Sequence, residues 1–290
     1  MNVKLNTIKE GPGYRIFSGA NIIIMVLIMA IIIIPIVKVV IDSVDKNASE
    51  LAFRLLPKVF TLGAYELILT RPNILRPFLI SLLTTALGTM ISMTVTSLYA
   101  YSLAQRDLPG KSFFLYIALI TMVFRAGMIP LYLVVRDLGM LNSLLPILLV
   151  KCVDAYYLIL LKNFFSTIPK SIIDAAEIDG CSPLKTFVRI VLPLSKPGLA
   201  AISLFYIVLY WNQFFDYILY LTGRRDLYNF QVFLRSLVIE NDTQGYEGFS
   251  FATQSLKNAA IVTSIVPIAI LYPFLQKYFV KGINLGAVKG

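Results

Sequence analysis

Residues 166–198, STIPKSIIDAAEIDGCSPLKTFVRIVLPLSKPG, form the longest polar interruption in the second half of a very apolar chain. Pro169 lacks an amide hydrogen and ends the preceding helix, so Ser171 is placed to cap a new one. Ser171 and Asp174 have capping-box spacing, with Asp where Glu or Gln is usual. That helix is expected to run through Ala175, Ala176 and Ile178 and to stop at Gly180, which takes the left-handed C-terminal conformation without a Cβ penalty. Ser182 and Pro183 read as the cap and first residue of a second short helix carrying Phe187, Ile190 and Val191, closed by Pro193 and Pro197. Two short helices bent at one glycine, with apolar and charged residues mixed on their faces, have the character of a docking surface.

The sequence around this loop is membrane-like. Of 290 residues, 58% are hydrophobic and 14% charged, whereas soluble domains carry about a quarter charged residues. Six apolar runs, roughly 17–41, 79–104, 113–135, 144–161, 199–221 and 258–279, approach or exceed the ~20 residues that a crossing helix needs. The fourth is short and interrupted by Lys151 and Asp154. Pro35, Gly88, Gly127, Pro130, Pro146, Pro267 and Pro273 fall inside the runs, where neighbouring helices can satisfy the freed backbone. The first run is too long for a signal-peptide core and no small-residue cleavage site follows it, so it is expected to stay as an anchor.

Net charge is +10, from 26 basic and 16 acidic residues. The basic residues sit mostly between apolar runs, which fits the positive-inside rule better than nucleic-acid binding. Arg106 and Lys111 mark one short loop, Lys162, Lys170, Lys185, Arg189 and Lys196 the docking loop, and the tails add Lys4, Lys9, Arg15, Lys277, Lys281 and Lys289. These assign both termini and the docking loop to the cytoplasmic side. The opposite segments 42–78 and 222–257 are long enough to form structure. The first includes LLPKVFTLGAYELIL, an amphipathic piece suited to lying along the outer face.

Several chemistries are disfavoured. The chain has no histidine, the commonest general base and metal ligand. Cys152 and Cys181 are far apart, so neither a disulfide nor a metal site is expected. Gly110-Lys111-Ser112 resembles the end of a phosphate-binding loop, but the position of its first glycine is Gln105. No ATP site is expected on this chain, and any energy source must be another subunit.

Ionisable residues inside apolar runs are costly and usually face protein or a water-filled path. Here they are Lys38, Arg125, Lys151, Asp154 and Asp216. Lys151 and Asp154, three apart, are spaced to pair on one helical face, and Lys38 is near enough to a helix end to snorkel. Arg125 and Asp216 lack a sequence-local partner. Two readings stay open: Arg125 or Lys151 meets an acidic sugar in a translocation path, or internal ion pairs hold helices together. Trp211 and Asn212, in the mid-run cluster Tyr210-Trp211-Asn212-Gln213-Phe214, are further path candidates, since sugars need aromatic faces and amides; such residues also glue helices together.

The loop quoted at the outset carries a resemblance. Asp174-Ala-Ala-Glu-Ile-Asp179-Gly180, followed by Phe187, Ile190, Leu192-Pro193 and Pro197, resembles the EAA loop of ABC-importer permeases, and more narrowly the smaller permease of maltose-type carbohydrate importers. Asp174 stands where that pattern has Glu, and Cys181 where it usually has Ala. Phe124 to Tyr132 and the Trp211-Asn212 pair are most similar to permeases of the lipoprotein/aldouronate/rhamnogalacturonan type from Gram-positive bacteria. The tail Gly286-Ala287-Val288-Lys289-Gly290 resembles one that reaches between the two ATPase subunits.

The resemblance implies an all-α integral membrane protein of six transmembrane helices in the bacterial cytoplasmic membrane. Its parts would be a cytoplasmic tail 1–16, a permease domain 17–280 with coupling loop 166–198 and external loop 222–257, and a cytoplasmic tail 281–290. It implies ATPase coupling through Asp174, Ala175, Ala176, Asp179, Gly180, Phe187 and Pro193. It also implies a second homologous permease, two ABC ATPases that hold ATP and magnesium, an extracellular or periplasmic solute-binding protein meeting the loop before the last helix, and an oligosaccharide substrate. No cofactor on this chain and no enzymatic activity are expected. The rival class is an ion- or proton-coupled secondary transporter using Asp154 and Asp216, which calls for inverted repeats that the sequence does not display. A membrane-embedded enzyme is disfavoured by the missing histidine and the absence of a nucleophile or paired-carboxylate motif.

Overall fold

The computed structural model describes residues 12–51, 53–105, 108–124, 126–239 and 253–287. They are almost wholly helical: α1 (Pro12–Ser43), α2 (Gly63–Thr70), α3 (Pro72–Ala104), α4 (Lys111–Val123), α5 (Met128–Asp137), α6 (Leu145–Leu149), α7 (Ala155–Ser166), α8 (Lys170–Ile178), α9 (Pro183–Thr186), α10 (Leu192–Leu194), α11 (Lys196–Trp211), α12 (Phe215–Tyr220), α13 (Phe230–Val238) and α14 (Thr253–Ala287). The described residues fall into two compact units, 12–67 with 253–262, and 68–239 with 263–287.

Three of the described helices are long and apolar enough to cross a bilayer: Ile16–Ser43 within α1, α3, and Thr253–Phe274 within α14. A fourth follows if Pro183–Leu194 and Lys196–Trp211, which meet at 85°, form one broken span. The other apolar runs are interrupted. Run 113–135 breaks between Val123 and Met128, where Gly127 holds extended backbone and Pro130 fits the first turn of α5, the part of a helix that has no use for its missing amide hydrogen. Run 144–161 breaks at Lys151–Asp154, and run 199–221 at Asn212–Phe214. Pro35, Pro77, Pro267 and Pro273 are carried inside long helices. α14 continues past residue 280, the boundary expected for the C-terminal tail, to Ala287.

In the first unit Asp45 organises the chain after α1. Its carboxylate accepts the backbone N–H of Asn47, Lys58 and Val59 at 3.0, 2.9 and 3.2 Å, and its carbonyl accepts the Ser255 hydroxyl. Asp45 also makes an isolated antiparallel bridge to Phe60, so LLPKVFTLGAYELIL consists of an extended piece followed by α2. Burial opposes ionisation of Asp45 and is the largest single influence on it. The three amide donors and the Arg54 charge together outweigh it and hold the carboxyl below its ordinary range. Lys38, expected to snorkel, instead pairs with Asp42 one turn on.

The second unit is built on α3 and α11. Helices in lipid gain little from hydrophobic transfer, so close packing at small residues and interhelical hydrogen bonds decide their association. A Cβ on Gly88 of α3 would lie 2.6 Å from the Tyr210 ring of α11, and one on Gly198 of α11 would lie 2.6 Å from the Phe164 ring of α7. These two glycines set the helix spacing. One core joins Tyr101, Leu158, Leu161, Phe165, Phe187 and Tyr206, and another Ile80, Val135, Ile147, Tyr217, Tyr220 and Val232. The second is clipped at its end by Asn142 (φ 57°), whose N–H donates to the Tyr220 carbonyl at 2.8 Å and whose Oδ1 accepts the Gly223 N–H at 2.7 Å.

Candidate functional site

α8 begins at Lys170, two residues before the start that a Ser171 cap would give, and no side chain caps it. Pro169 already holds the extended backbone that a cap position needs, so the helix starts directly after it and Ser171 falls inside the first turn. The end is as the glycine dictates. Gly180 sits at φ +76°, its N–H donates to the Glu177 carbonyl at 3.0 Å, and the Cys181 N–H reaches the Ala176 carbonyl at 2.9 Å, the paired bonds of a Schellman motif. Ser182 caps α9, its Oγ accepting the Lys185 N–H at 3.4 Å, with Pro183 in first place. The chain then makes one π-helical turn, Phe187–Val191, before α10 and the bend at Ser195.

The resulting unit has two distinct faces. Ala176, Phe187 and Val191 are buried, and the Phe187 ring packs on Phe165 and Tyr101. On the other side Ile178 is 87% exposed and Leu184 64%, with Val188 and Leu194 also out, amid exposed Ala175, Asp179, Gly180 and Pro193. Asp174 is partly exposed, 4.0 Å from Lys170 one turn earlier. Behind α8 a cleft of about 630 Å³ is lined by Tyr101, Gln105, Lys111, Lys162, Asp174 and Glu177, among others.

The ionisable residues of the apolar runs sort differently from their spacing. Residues 150–154 are not helical, so Lys151 and Asp154 share no helix face and do not pair. Lys151 instead forms an ion pair with Asp216, whose same oxygen accepts the Gln213 amide at 2.5 Å. Asp154 caps α7, accepting the N–H of Tyr156 and Tyr157 at 2.8 and 3.2 Å. Lys151 and Asp154 line a cavity of about 800 Å³ with Thr121, Phe124, Tyr156 and Tyr157. Its mix of a fixed ammonium, a carboxylate and aromatic rings can donate to and stack on a polyhydroxylated ligand.

Trp211 lines another space. A groove of about 480 Å³ runs between Met90 and Met93 of α3, Ile207 and Trp211 of α11, and Pro267 and Leu271 of α14. The Trp211 Nε1–H donates to the Ser264 carbonyl at 2.9 Å, whereas the Thr85 and Thr89 hydroxyls in the groove make no hydrogen bond. Asn212 is exposed at the end of α11. Lys151 and Trp211 therefore line different spaces. Gly286 and Ala287 lie on the last turn of α14, while Arg125, Val288, Lys289 and Gly290 lie outside the described residues, as does the tip of the loop at 240–252. In the described part of that loop Asp226 accepts Arg224 at 2.8 and 3.0 Å and Arg76 at 2.9 Å. Hydrogen bonding from Arg224 holds its carboxyl below the ordinary range.

Tyr206 and Tyr217, which bond Thr96 and Thr84 of α3, were not separable as polar anchors by sequence reading. The signal that marks them is the run of Ser81, Thr84, Ser92 and Thr96 at helical spacings along α3, which calls for hydroxyl partners on a facing helix.

No protein-family model matches the chain. A polygalacturonan/rhamnogalacturonan transport system permease of Bacillus subtilis, YtcP, is 40% identical over 285 residues, covering 95% of this chain and 99% of its own length. Among solved structures, a chain of a bacterial ABC transporter involved in the import of the acidic polysaccharide alginate superposes with a TM-score of 0.88 at 29% identity, covering 94% of this chain and 100% of that one. The chain belongs to the ABC sugar-transport permeases. A further relative, the B. subtilis protein LplC, is 36% identical over 99% of both chains. This permease is accordingly a multi-pass membrane protein, and the helical architecture is that of an ABC importer permease.

Proposed function

We propose that this permease forms one half of a heterodimeric translocation path that imports oligosaccharides, with α8 to α10 as the surface gripped by cytoplasmic ABC ATPases. The observation that carries the reading is the two-faced coupling unit: one side is packed against Phe165 and Tyr101, and the other presents Ile178, Leu184 and Val188 to solvent. Large apolar side chains displayed together at a loop mark a protein interface. The resemblance of 174–193 to the EAA loop supports an ABC ATPase as that partner.

Six crossings, both termini in the cytoplasm, a second homologous permease, two ATPases supplying the ATP and magnesium, and an external solute-binding protein complete the proposal. The tail 286–290 reaches between the ATPases, and the loop 222–257 meets the binding protein. Relatives named for rhamnogalacturonan, arabino-oligosaccharides and melibiose/raffinose/stachyose support an oligosaccharide substrate. The cavity holding Lys151 is the candidate path, with Arg125 a further candidate by sequence.

The test is a mild-detergent pull-down of tagged permease, followed by ATPase assay with binding protein loaded with oligogalacturonides, alginate oligosaccharides or neutral arabino-oligosaccharides. Co-purification of an ATPase and a second permease, with stimulation by one loaded sugar, is the expected result. A lone chain without ATPase, or uptake that follows an ion gradient, sinks the proposal.

A further inference from the structure

α3 is tied to the rest of its unit by a line of buried hydroxyls. The Ser81 Oγ accepts the Phe230 N–H at 2.9 Å, and the Thr84 Oγ1 accepts the Tyr217 hydroxyl at 2.7 Å. Ser92 meets the Tyr210 hydroxyl at 2.9 Å, and Thr96 the Tyr206 hydroxyl at 2.8 Å. Last in the line, the Tyr101 hydroxyl donates to the Pro183 carbonyl at 3.2 Å. At ~1.5 Å per residue, the stretch from Ser81 to Tyr101 covers about 30 Å, the thickness of a bilayer's hydrocarbon core.

Two of these tyrosines each join a third segment. Tyr210 also donates to the Leu148 carbonyl at 2.8 Å, and the Tyr206 hydroxyl accepts the Asp154 N–H at 3.1 Å. Apolar burial is non-directional and by itself leaves neighbouring helices some choice of register. Directed hydrogen bonds at several heights do not. α3, α11, α12 and residues 148–154 are thereby held in one register.

Tyr101 is where that register meets the docking unit. Its ring centroid lies 4.9 Å from that of Phe187, and its hydroxyl is bonded to the first residue of α9. Resting on the proposed ATPase coupling through α8 to α10, we infer that Tyr101 is a positioning residue for transport. It is the joint through which movement of the coupling unit is passed to α3, and the hydroxyl line makes α3 the rod that carries it across the membrane.

The experiment compares wild type and Tyr101→Phe in the complete transporter in proteoliposomes, with loaded binding protein, reading sugar imported per ATP hydrolysed. Tyr101→Phe keeps the ring on Phe187 and removes the hydroxyl, with its bond to Pro183 and its contact with Gln105. The ratio is expected to fall about fivefold, the factor that one neutral hydrogen bond is worth in an equilibrium. ATPase co-purification stays at the wild-type level. A merely structural role would lower import and hydrolysis together through the amount of assembled complex, leaving the ratio unchanged. An unchanged ratio in Tyr101→Phe overturns the inference. If that variant does not assemble, Thr96→Val, which keeps the shape and drops one hydroxyl of the line, is read in the same way, and an unchanged ratio there overturns it. Failure of the wild-type permease to hold an ATPase instead overturns the coupling proposal on which this rests.

Discussion

Lys151 and Asp216, 65 positions apart in sequence, meet as an ion pair, with Gln213 donating to the same carboxylate oxygen. The Lys151 side chain is 43% exposed on the cavity and that of Asp216 only 11%. The buried acid thus holds a half-exposed ammonium at the cavity wall. Lys151 sits in the break of its apolar run and Asp216 in the first turn of the helix that follows the break in another, where the interrupted chain needs tertiary contacts to stay in place.

Asp216→Asn keeps an oxygen for Gln213 but leaves the Lys151 ammonium without its counter-charge. Breaking a fully buried pair costs about 3–5 kcal/mol. Because Lys151 reaches the cavity, about 1–2 kcal/mol is expected here. A lowered melting temperature in detergent checks it, with part of the loss recovered by Lys151→Met in the same chain. Equal melting of Asp216→Asn and wild type would show that the pair contributes nothing.

Gly198→Ala places a methyl 2.6 Å from the Phe164 ring carbon nearest the backbone, where the ring cannot swing aside without moving α7. Overpacking of this kind costs about 1–3 kcal/mol. Phe164→Leu in the same chain is expected to restore much of it. Thermal unfolding of the two single variants and the double variant measures the coupling, and additive effects would contradict the contact.

At Gly180 the backbone is left-handed and its N–H is bonded, so Gly180→Pro removes the bond and forbids the φ. Asp179→Lys reverses a charge on the exposed face. Both variants are expected to reach the membrane in normal amounts and to lose oligosaccharide uptake by tenfold or more. Wild-type uptake together with normal ATPase association in both removes α8 and α9 from the coupling role.

The Asp45 carboxyl is held below its ordinary value, so it binds protons less readily folded than unfolded. Its contribution is fully present above the unfolded carboxylate value of about 4 and is lost as pH falls through the lower folded value. Stability is expected to be flat on this account from pH 7 to 5 and to decline below about pH 4. The part of that decline due to Asp45 should be absent from Asp45→Asn, so identical pH profiles of the two proteins would count against it.

The paired short helices α8 and α9 were readable because their signals are local. Gly180, Ser182 and Pro183 act through bonds to residues within five positions, and backbone geometry enforces them in any surroundings. The apolar runs were equally plain as composition, yet their continuity was not. Gly127, Pro130 and Pro146 are compatible with either a kinked helix or a break, and neighbouring segments choose between the two.

Local rules carried the membrane character, the stop at Gly180, the start at Ser182 and Pro183 and the resemblance to an importer permease, because each depends on residue types a few positions apart. Partnership among polar groups came from the packed chain. Lys151 went to Asp216 rather than to Asp154, and the hydroxyls of α3 went to tyrosines more than a hundred positions away. In a low-dielectric interior every buried polar group needs a partner, but which one it finds depends on which helices are brought side by side. Gly88 and Gly198 set that approach through the space they leave empty, and an absent side chain carries no sequence signal of what will fill its place.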